Sequence, residues 1–251
     1  MEKILHVTCF NIDNINSHIY KNNNPLEIKY VDSKETNKHN KLINKHLSEK
    51  EIDRAKRFIR PVDSTCYSLT HALLRHLLSK SININPLQIE IHSIENHKPY
   101  ITSRELDFNI SHSDHYGCVV IADHTELKTG IDIEKIKNLD DMMNLIQTYM
   151  SKQEQEYINS GKTRDEQLKR FYVIWTRKEA LLKMIGTGLV DNLCDVSVIL
   201  GENVVSIVPY EDIVIKTDHV FIYTYIDFDF VLSIALNKPR IINISEFNGF
   251  Y

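Results

Sequence analysis

The chain of 251 residues is long enough to bury a sizeable core, as one domain or as two closely packed lobes. Hydrophobic residues make up 42% and charged residues 25%, a balance typical of soluble globular proteins, and the net charge of −4 excludes a global basic field for nucleic acid. Four scattered cysteines without a CxxC pair indicate reduced thiols and a cytoplasmic protein, and no apolar run of about 18 residues predicts a membrane span.

The first predicted elements are two helices. Residues 21–45 are rich in Asn and Lys and predict a loop or a weak helix. The segment LSEKEIDRAKRFI then has helical spacing, Ser48 and Glu51 have the spacing of a capping box, and Pro61 is expected to stop this helix. A second, leucine-rich helix is predicted from about Ser64 to Ser79.

The middle of the chain alternates between apolar and polar residues, which predicts strands. These are LQIEIHSI, LDFNIS, GCVVIA and GIDIEKI. Two helices follow, and the second, about Thr163 to Ile185, ends at Gly186. The C-terminal part again predicts strands, DVSVIL, NVVSIV, HVFIYTYI and FVLSIAL. Helices mixed with antiparallel strands in this order predict an α+β fold.

Asp132 and Glu134 in GIDIEKI are the first candidate site residues. Residues at i and i+2 of a strand point to the same face, so two carboxylates would lie side by side, as a hard cation such as Mg²⁺ requires. A solvated strand face has the same pattern, and the pair alone does not decide between the two. Because Asp132 is expected to face outward, its replacement should matter little to the core.

The segment WTRKEALLKMIGTGL is the second candidate. Trp175, Glu179 and Lys183 are spaced by four residues and form one stripe of a helix. The alternative is an ordinary Glu–Lys pair on the surface, worth about 0.3–0.5 kcal/mol.

The third candidate combines Lys98-Pro99 with Ser111 and His112 at the end of FNISHS. A lysine offers a phosphate a point charge, and a histidine offers it a switchable donor. The alternative is a surface lysine and a turn histidine, and the chain has 12 histidines to choose from.

Taken together, the order of these motifs resembles an Sfp-type 4′-phosphopantetheinyl transferase. That family has a KP element, an N-I-S-H-S strand end, a G-(I/V)-D-(I/V)-E strand and a W-(S/T)-x-K-E-(A/S)-x-x-K helix. Their counterparts are Lys98-Pro99, Asn109 to Ser113, Gly130 to Glu134 and Trp175 to Lys183. YMSKQEQEY also resembles the family's F-S-x-x-E segment, with Glu154 at the acidic position.

The resemblance implies an α+β fold of two similar, pseudo-symmetric lobes, expected at residues 1–124 and 125–251. The activity implied is the Mg²⁺-dependent transfer of 4′-phosphopantetheine from coenzyme A to a serine of an apo acyl or peptidyl carrier protein, in polyketide or nonribosomal peptide synthesis. Coenzyme A and the carrier are the implied partners, without nucleic acid or membrane. One chain that supplies both lobes is expected to act as a monomer.

The positions that match functional residues of the family fall into three groups. The implied metal ligands are Asp132, Glu134 and Glu179. The implied catalytic residues are Glu179 and Lys183, where Glu179, or a water on the metal, would take the proton of the carrier serine. The implied contacts of the coenzyme A phosphates are Lys98, His112 and, through its hydroxyl or backbone, Ser111.

Cys66 is a departure from the family pattern. Members often carry a basic residue at this position for the 3′-phosphate of coenzyme A, and a neutral thiol cannot replace its charge. Either nearby basic residues, Arg54 and Arg57 among them, compensate, or the 3′-phosphate is held less strongly.

Two other functions stay open on the sequence. A metal-dependent phosphodiesterase or nuclease also combines acids with a lysine, although the acidic net charge argues against it. A catalytically inactive relative would only bind carrier proteins or coenzyme A, and the presence of all three acids and Lys183 argues against that.

Overall fold

The computed structural model describes residues 4–11, 43, 45–93, 97–102, 106–122, 126–188, 193–199 and 220–246. Within them, two larger sheets each pack against a helix of 22 residues, which confirms the predicted α+β fold. The strand predicted at NVVSIV and most of residues 21–45 lie outside the described residues. None of the described helices is long and apolar enough to cross a membrane.

The described residues form α-helices and β-strands with the following bounds. The helices are α1 (Glu49–Ala55), α2 (Pro61–Ile82), α3 (Met142–Tyr149), α4 (Lys152–Asn159) and α5 (Arg164–Ile185). The strands are β1 (Ile4–Asn11), β2 (Ile91–His92), β3 (Tyr100–Ile101), β4 (Asp107–Ser113), β5 (Tyr116–Ala122), β6 (Thr129–Lys135), β7 (Phe221–Ile226), β8 (Phe230–Leu236) and β9 (Ile241–Glu246).

The first unit packs α2 against a mixed sheet of strand order β4-β5-β1-β9. Buried leucines of α2, such as Leu69 and Leu73, share a core with Phe108 and Val119 of the sheet. Strand β1 is antiparallel to β5 and parallel to β9, so a strand from the C-terminal end joins the N-terminal elements. The lobe boundary near residue 124 stays a prediction, and β9 pairs across it.

The second unit packs α5 against an antiparallel sheet of order β6-β8-β7. The Thr163 hydroxyl accepts a hydrogen bond from the Glu166 backbone nitrogen at 3.1 Å and caps the start of α5. At the other end, Gly186 has a φ of 86°, in the left-handed region that favours glycine. These caps confirm the helix predicted from about Thr163 to Ile185.

Gly130 lets α5 lie directly on β6. A Cβ at this position would stand 1.9 Å from the Ala180 carbonyl oxygen and 2.4 Å from the Met184 backbone nitrogen. Both are backbone atoms, which cannot move aside as the end of a flexible side chain can. Glycine is required because the backbone of α5 lies too close to β6 to leave room for a Cβ. This close approach brings Lys183 of the helix against Asp132 of the strand.

The two sheets meet where β4, at the edge of one, lies beside β6, at the edge of the other. Side chains of β4 accept hydrogen bonds from backbone N–H groups of β6, which satisfies donors that an edge strand leaves unpaired. The three bonds of this β4–β6 ladder run from the backbone nitrogens of Thr129, Ile131 and Lys135 to Asp107 Oδ2 (2.7 Å), Asn109 Oδ1 (3.0 Å) and Ser113 Oγ (3.2 Å).

The strand prediction for LQIEIHSI is wrong for most of its described residues. Only Ile91–His92 is a strand, because Pro86–Gln88 form a 3₁₀ turn. The Arg75 guanidinium donates to the carbonyls of Pro86 (2.7 Å) and Ile89 (2.9 Å), so a side chain binds backbone groups that a ladder would use.

Other predicted boundaries also change. Three helices, rather than two, follow β6, because Ser151 starts a new helix with a capping box. Pro61 does not end α1 but begins α2. A proline is tolerated there because the first backbone N–H groups of a helix have no partner within the helix. DVSVIL forms no strand over residues 196–199, since buried side chains described below bind its backbone.

We expect Gly130→Ala to lower the free energy of unfolding by more than about 2 kcal/mol, because overpacking typically costs 1–3 kcal/mol and here the clash is with backbone. Urea unfolding measures the change, with Ser81→Ala at an exposed helix position as the control. Equal stability of the two variants would show that α5 can shift away from β6 at little cost.

Candidate active site

The polar residues of FNISHS hold the acids of GIDIEKI. Ser111 Oγ donates to Asp132 Oδ1 at 2.8 Å, and Ser113 Oγ donates to Glu134 Oε2 at 2.6 Å. These bonds continue the β4–β6 ladder, which aligns the two strands so that each serine meets an acid. The two carboxylates are therefore fixed before any ligand binds.

Lys183 of α5 completes this cluster. Its Nζ donates to Asp132 Oδ1 at 2.6 Å and to Ser111 Oγ at 3.0 Å, while its side chain stays 30% exposed. Asp132 is only 2% exposed, so the expectation that it faces outward is wrong. Strand β6 is covered on both faces, by α5 and by the first sheet, which buries Asp132 along with Ile131 and Ile133.

The neighbouring acids resist ionisation. Burial, followed by the charge of Asp132, raises the pKa of Glu134 to about 7. The same two causes raise the pKa of Glu179 on α5, one turn before Lys183. For Lys183, burial favours the neutral form, but Asp132 and Glu179 outweigh it and raise the pKa. Negative charge is thus concentrated here beyond what one lysine neutralises.

Asp132 shows the clearest fit to a cation. Its second carboxylate oxygen, Oδ2, is buried and has no hydrogen-bond partner in the described part of the chain. An unpartnered buried carboxylate oxygen is costly unless a cation occupies the space beside it. Among the described residues, however, no three His, Cys, Asp or Glu side chains already stand close enough to form a metal site. The ligand set Asp132, Glu134 and Glu179 therefore stays a prediction.

Lys98 is anchored inside the protein. Its Nζ is paired with Asp107 Oδ2 at 2.5 Å and donates to the Thr129 carbonyl at 2.7 Å. Asp107 is also the first member of the β4–β6 ladder, so Lys98 supports the junction of the two sheets. Two of the three N–H donors of its ammonium group are used, which leaves one for a phosphate.

His112 stands at the inner end of a row of rings. Tyr67 lies edge-on to it with ring centroids 6.3 Å apart, Phe58 lies 5.3 Å from Tyr67, and the Arg54 guanidinium is 5.7 Å from the Phe58 ring. Burial, then the charges of His71 and Lys183, lowers the pKa of His112 to about 4. At neutral pH His112 would therefore meet a phosphate as a neutral donor, unless the phosphate itself raises the pKa.

The predicted basic contacts on the N-terminal side are not gathered at the acids. Arg54 and Arg57 are both exposed around the end of α1, and Arg54 reaches the cluster only through the row of rings. Cys66 is buried and its thiol donates to the Tyr116 carbonyl at 3.2 Å. Burial raises the pKa of Cys66 to about 12, so it supplies no charge to a phosphate.

The sequence analysis missed the residues that hold the cluster together. Asn109 and Ser113 belong to the N-I-S-H-S motif but had no predicted role, and no role was predicted for Asp107 or Thr129. The signal was present in the spacing, because four polar residues of β4 meet partners on β6 at a separation of 21 or 22 residues: Asp107, Asn109, Ser111 and Ser113. Only the pairing of the two strands gives that separation a meaning.

A fully buried ion pair fixes the other face of α5. Lys178 Nζ lies 2.9 Å from Glu154 Oε2, and both side chains are 0% exposed. Lys178 also donates to the carbonyls of Leu193 and Val196, and Glu154 Oε1 accepts from the Val198 backbone nitrogen at 2.8 Å. These bonds explain why residues 196–199 are not a strand and tie α4, α5 and this segment together.

Comparison with known proteins gives the chain a family. A model described as 4′-phosphopantetheinyl transferase superfamily matches residues 128–234, and one described as 4′-phosphopantetheinyl transferase, N-terminal, matches residues 34–126. The first match contains β6 and α5 with their acids and Lys183. The second contains α2, β4 and β5, with the serines that hold those acids.

Several curated relatives agree. The 4′-phosphopantetheinyl transferase ffp of Bacillus subtilis is 32% identical over 158 residues, which are 62% of this chain and 68% of the relative. The 4′-phosphopantetheinyl transferase Sfp of Bacillus subtilis strain 168 is 29% identical over 161 residues, 64% and 69% of the two chains. The chain belongs to the 4′-phosphopantetheinyl transferase superfamily, as its motif order suggested.

The aligned region is shorter than some of these relatives. Proteins of Haemophilus influenzae and Synechocystis are 35% and 30% identical to the chain, and the alignments cover 61% and 58% of their lengths. The chain thus spans about three fifths of each. Membership of the family is shown, and the activity of the whole protein is a separate question.

We expect Glu154→Gln to lower the free energy of unfolding by about 3–5 kcal/mol, because Lys178 would keep a buried charge without its partner. Asp53→Asn is the control, since it removes the carboxylate of the exposed Lys56–Asp53 pair (2.9 Å) and should cost no more than about 1 kcal/mol. Denaturant unfolding compares the two. A similar small loss in both variants would mean that the buried pair contributes no more than a surface pair.

We expect the protein to lose stability in mild acid because of the lowered pKa of His112. Its pKa is about 4 in the folded chain, below the value of about 6.5 expected when unfolded. The unfolded state therefore binds the proton first, and stability is lost as pH falls through this window. His112→Gln should be less sensitive than wild type when urea unfolding is compared at about pH 7 and about pH 5. If wild type and His112→Gln lost the same amount of stability between the two pH values, this assignment would be contradicted.

Proposed function

We propose that this protein transfers the 4′-phosphopantetheine group of coenzyme A to a serine of an apo acyl or peptidyl carrier protein. The observation that carries the proposal is the cluster of Ser111, Asp132 and Lys183, in which a buried carboxylate oxygen has no hydrogen-bond partner in the part of the chain that the structure describes. It lies where two sheets meet, among residues that the family matches cover.

The reaction joins the serine oxygen of the carrier to the β-phosphate of coenzyme A, and adenosine 3′,5′-bisphosphate leaves. Glu179 is the proposed base, because burial and Asp132 raise its pKa toward the range where a carboxylate accepts a proton effectively. Lys183 uses two of its three donors on Asp132 and Ser111, so one is left for the transferring phosphate or the leaving oxygen. The existing bonds fix that donor in advance.

Asp132, Glu134 and Glu179 are the proposed ligands of Mg²⁺. The ion would supply positive charge that neutralises the pyrophosphate of coenzyme A. Hydrogen bonds from Ser111 and Ser113 fix the carboxylates of Asp132 and Glu134 in place. Asp132 Oδ2 has no hydrogen-bond partner among the described residues and is available to the ion. The oxygen-only donor set suits a hard cation.

His112 and Lys98 are the proposed phosphate contacts, with Ser111 beside them. Each has a free donor, but both also have structural bonds or packing, so their contribution to binding is smaller than that of an exposed cation. With Cys66 neutral, the 3′-phosphate depends on exposed groups such as Arg57 and Arg54, of which Arg54 lies over the Phe58 ring. This leaves the nucleotide end of coenzyme A the less firmly held end.

Support for this function outweighs that for a nuclease or for an inactive relative. The named relatives are transferases, and Lys183 binds Asp132, whose charge, after burial, raises the pKa of Glu134 and of Glu179. The proposal extends to a cytoplasmic monomer that serves polyketide or nonribosomal peptide carriers. A panel of apo carriers, with gel filtration of the enzyme, tests that extension.

The main test incubates the protein with Mg²⁺, a fluorescent coenzyme A analogue and an apo carrier protein, and follows label on the carrier serine. Asp132→Asn and Lys183→Met should each lower the rate by about a hundredfold or more, because each removes an electrostatic partner of the transferring group. Omission of Mg²⁺ should abolish labelling.

Two matched controls use an exposed ion pair. Glu126 and Lys238 lie 2.7 Å apart with side chains 75% and 44% exposed, so Glu126→Gln and Lys238→Met should keep the wild-type rate. Circular dichroism checks that every variant is folded. Wild-type labelling by a folded Asp132→Asn protein would refute the assignment, and DNA cleavage without labelling would favour the nuclease.

A further inference from the structure

Two cysteines face each other across neighbouring strands of the first sheet. Cys9 of β1 and Cys118 of β5 are direct partners in an antiparallel register. Directly opposite residues point to the same face of a sheet, and both cysteines pack in the core between the two sheets. The register therefore brings the two cysteine side chains next to each other.

This register suits a disulfide. Directly opposite residues in an antiparallel ladder have Cα atoms about 4.5 or 5.5 Å apart, depending on the type of pair. A disulfide joins Cα atoms about 4.4–6.8 Å apart, so either type lies within its range. The register thus places the two backbones within the span of a disulfide.

The cysteine pair is connected to the proposed active site. Cys118 is opposite Ser111 on its other side, and its thiol donates to the Ser111 carbonyl at 3.5 Å. Ser111 Oγ is the atom that Lys183 Nζ and Asp132 Oδ1 both contact. One row of side chains thus crosses the sheet from Cys9 through Cys118 to the cluster.

We propose that Cys9 and Cys118 form a reversible disulfide, made by a low-molecular-weight disulfide such as oxidised glutathione, and that this modification slows transfer. Joining the sulfurs removes the thiol donor from the Ser111 carbonyl and ties β5 to β1. Ser111, whose hydroxyl lies between Lys183 and Asp132, then loses a hydrogen bond at its backbone carbonyl.

The chemistry balances in two exchange steps. The Cys9 thiolate attacks one sulfur of the glutathione disulfide, the Cys9–glutathione bond forms, and one glutathione leaves as thiolate and takes up the proton that Cys9 lost. The Cys118 sulfur then attacks Cys9, its proton goes to the second glutathione as that leaves, and the protein disulfide is formed. Two cysteine thiols are oxidised and one glutathione disulfide is reduced to two thiols.

Exposure decides the order of these steps. Cys9 is half-buried, while Cys118 is fully buried. Burial also raises the pKa of Cys118, so the first attack falls to Cys9. The second attack is intramolecular between neighbouring sulfurs, and this proximity offsets the weak acidity of Cys118.

The test treats the full-length protein with oxidised glutathione and measures the intact mass without reductant. The wild type should lose about 2 Da and regain it with dithiothreitol, and non-reducing peptide mapping should join Cys9 to Cys118. Cys194→Ser, at a half-buried cysteine outside the pair, should behave like wild type. Cys9→Ser should keep its mass. A persistent glutathione adduct at Cys9, no change in mass, or a disulfide that survives in Cys9→Ser would overturn the pairing.

The effect on rate rests on the proposed transferase function and is measured separately. Oxidised wild type should label an apo carrier about tenfold more slowly or worse, with recovery in dithiothreitol, while treated Cys9→Ser keeps its rate. If Cys9→Ser is unstable, Cys9→Ala replaces it. A full rate in the oxidised protein would overturn the control of activity. If untreated protein labels no carrier, the transferase proposal fails, and the mass measurement still decides the pairing.

Discussion

The hydrogen bonds between β4 and β6 are the constraint on which the rest of the structure depends. Two sheets that share no ladder of backbone hydrogen bonds are joined here by side chains of Asp107, Asn109, Ser111 and Ser113. The same bonds satisfy the edge of β6 and fix two acids beside each other. Structure and chemistry therefore use one set of atoms, and the serines cannot be changed for the sake of one without affecting the other.

The placement of α5 depends on that junction in turn. Gly130 allows the helix to rest on β6, and the buried Lys178–Glu154 pair holds its opposite face. Between these supports, Lys183 reaches Asp132 and Ser111 while part of its side chain remains accessible. The catalytic role proposed for Lys183 needs both properties, because a phosphate has to approach an ammonium group that the protein has already oriented.

A concentration of unneutralised acids lowers the stability of a folded protein. Acids with shifted pKa values are typical of functional sites. Burial and Asp132 raise the pKa of Glu134 and Glu179, and one buried oxygen of Asp132 has no hydrogen-bond partner among the described residues. In the proposed enzyme, a cation and the pyrophosphate of the substrate complete the site. The cysteine pair behind Ser111 adds a route by which the redox state of the surroundings could reach the same cluster.

The sequence by itself determined the α+β class, the presence of the two long helices, the capping box of α1, the glycine end of α5 and the family, because these depend on local periodicity and on motifs with fixed spacing. It also selected Asp132, Glu134, Glu179 and Lys183. Only the tertiary structure decided that Asp132 is buried, that Ser113 is a partner of Glu134, and that residues 196–199 bind an ion pair instead of forming a strand. Those outcomes depend on which segments lie side by side, and contacts between residues far apart in the sequence leave no local pattern in the chain.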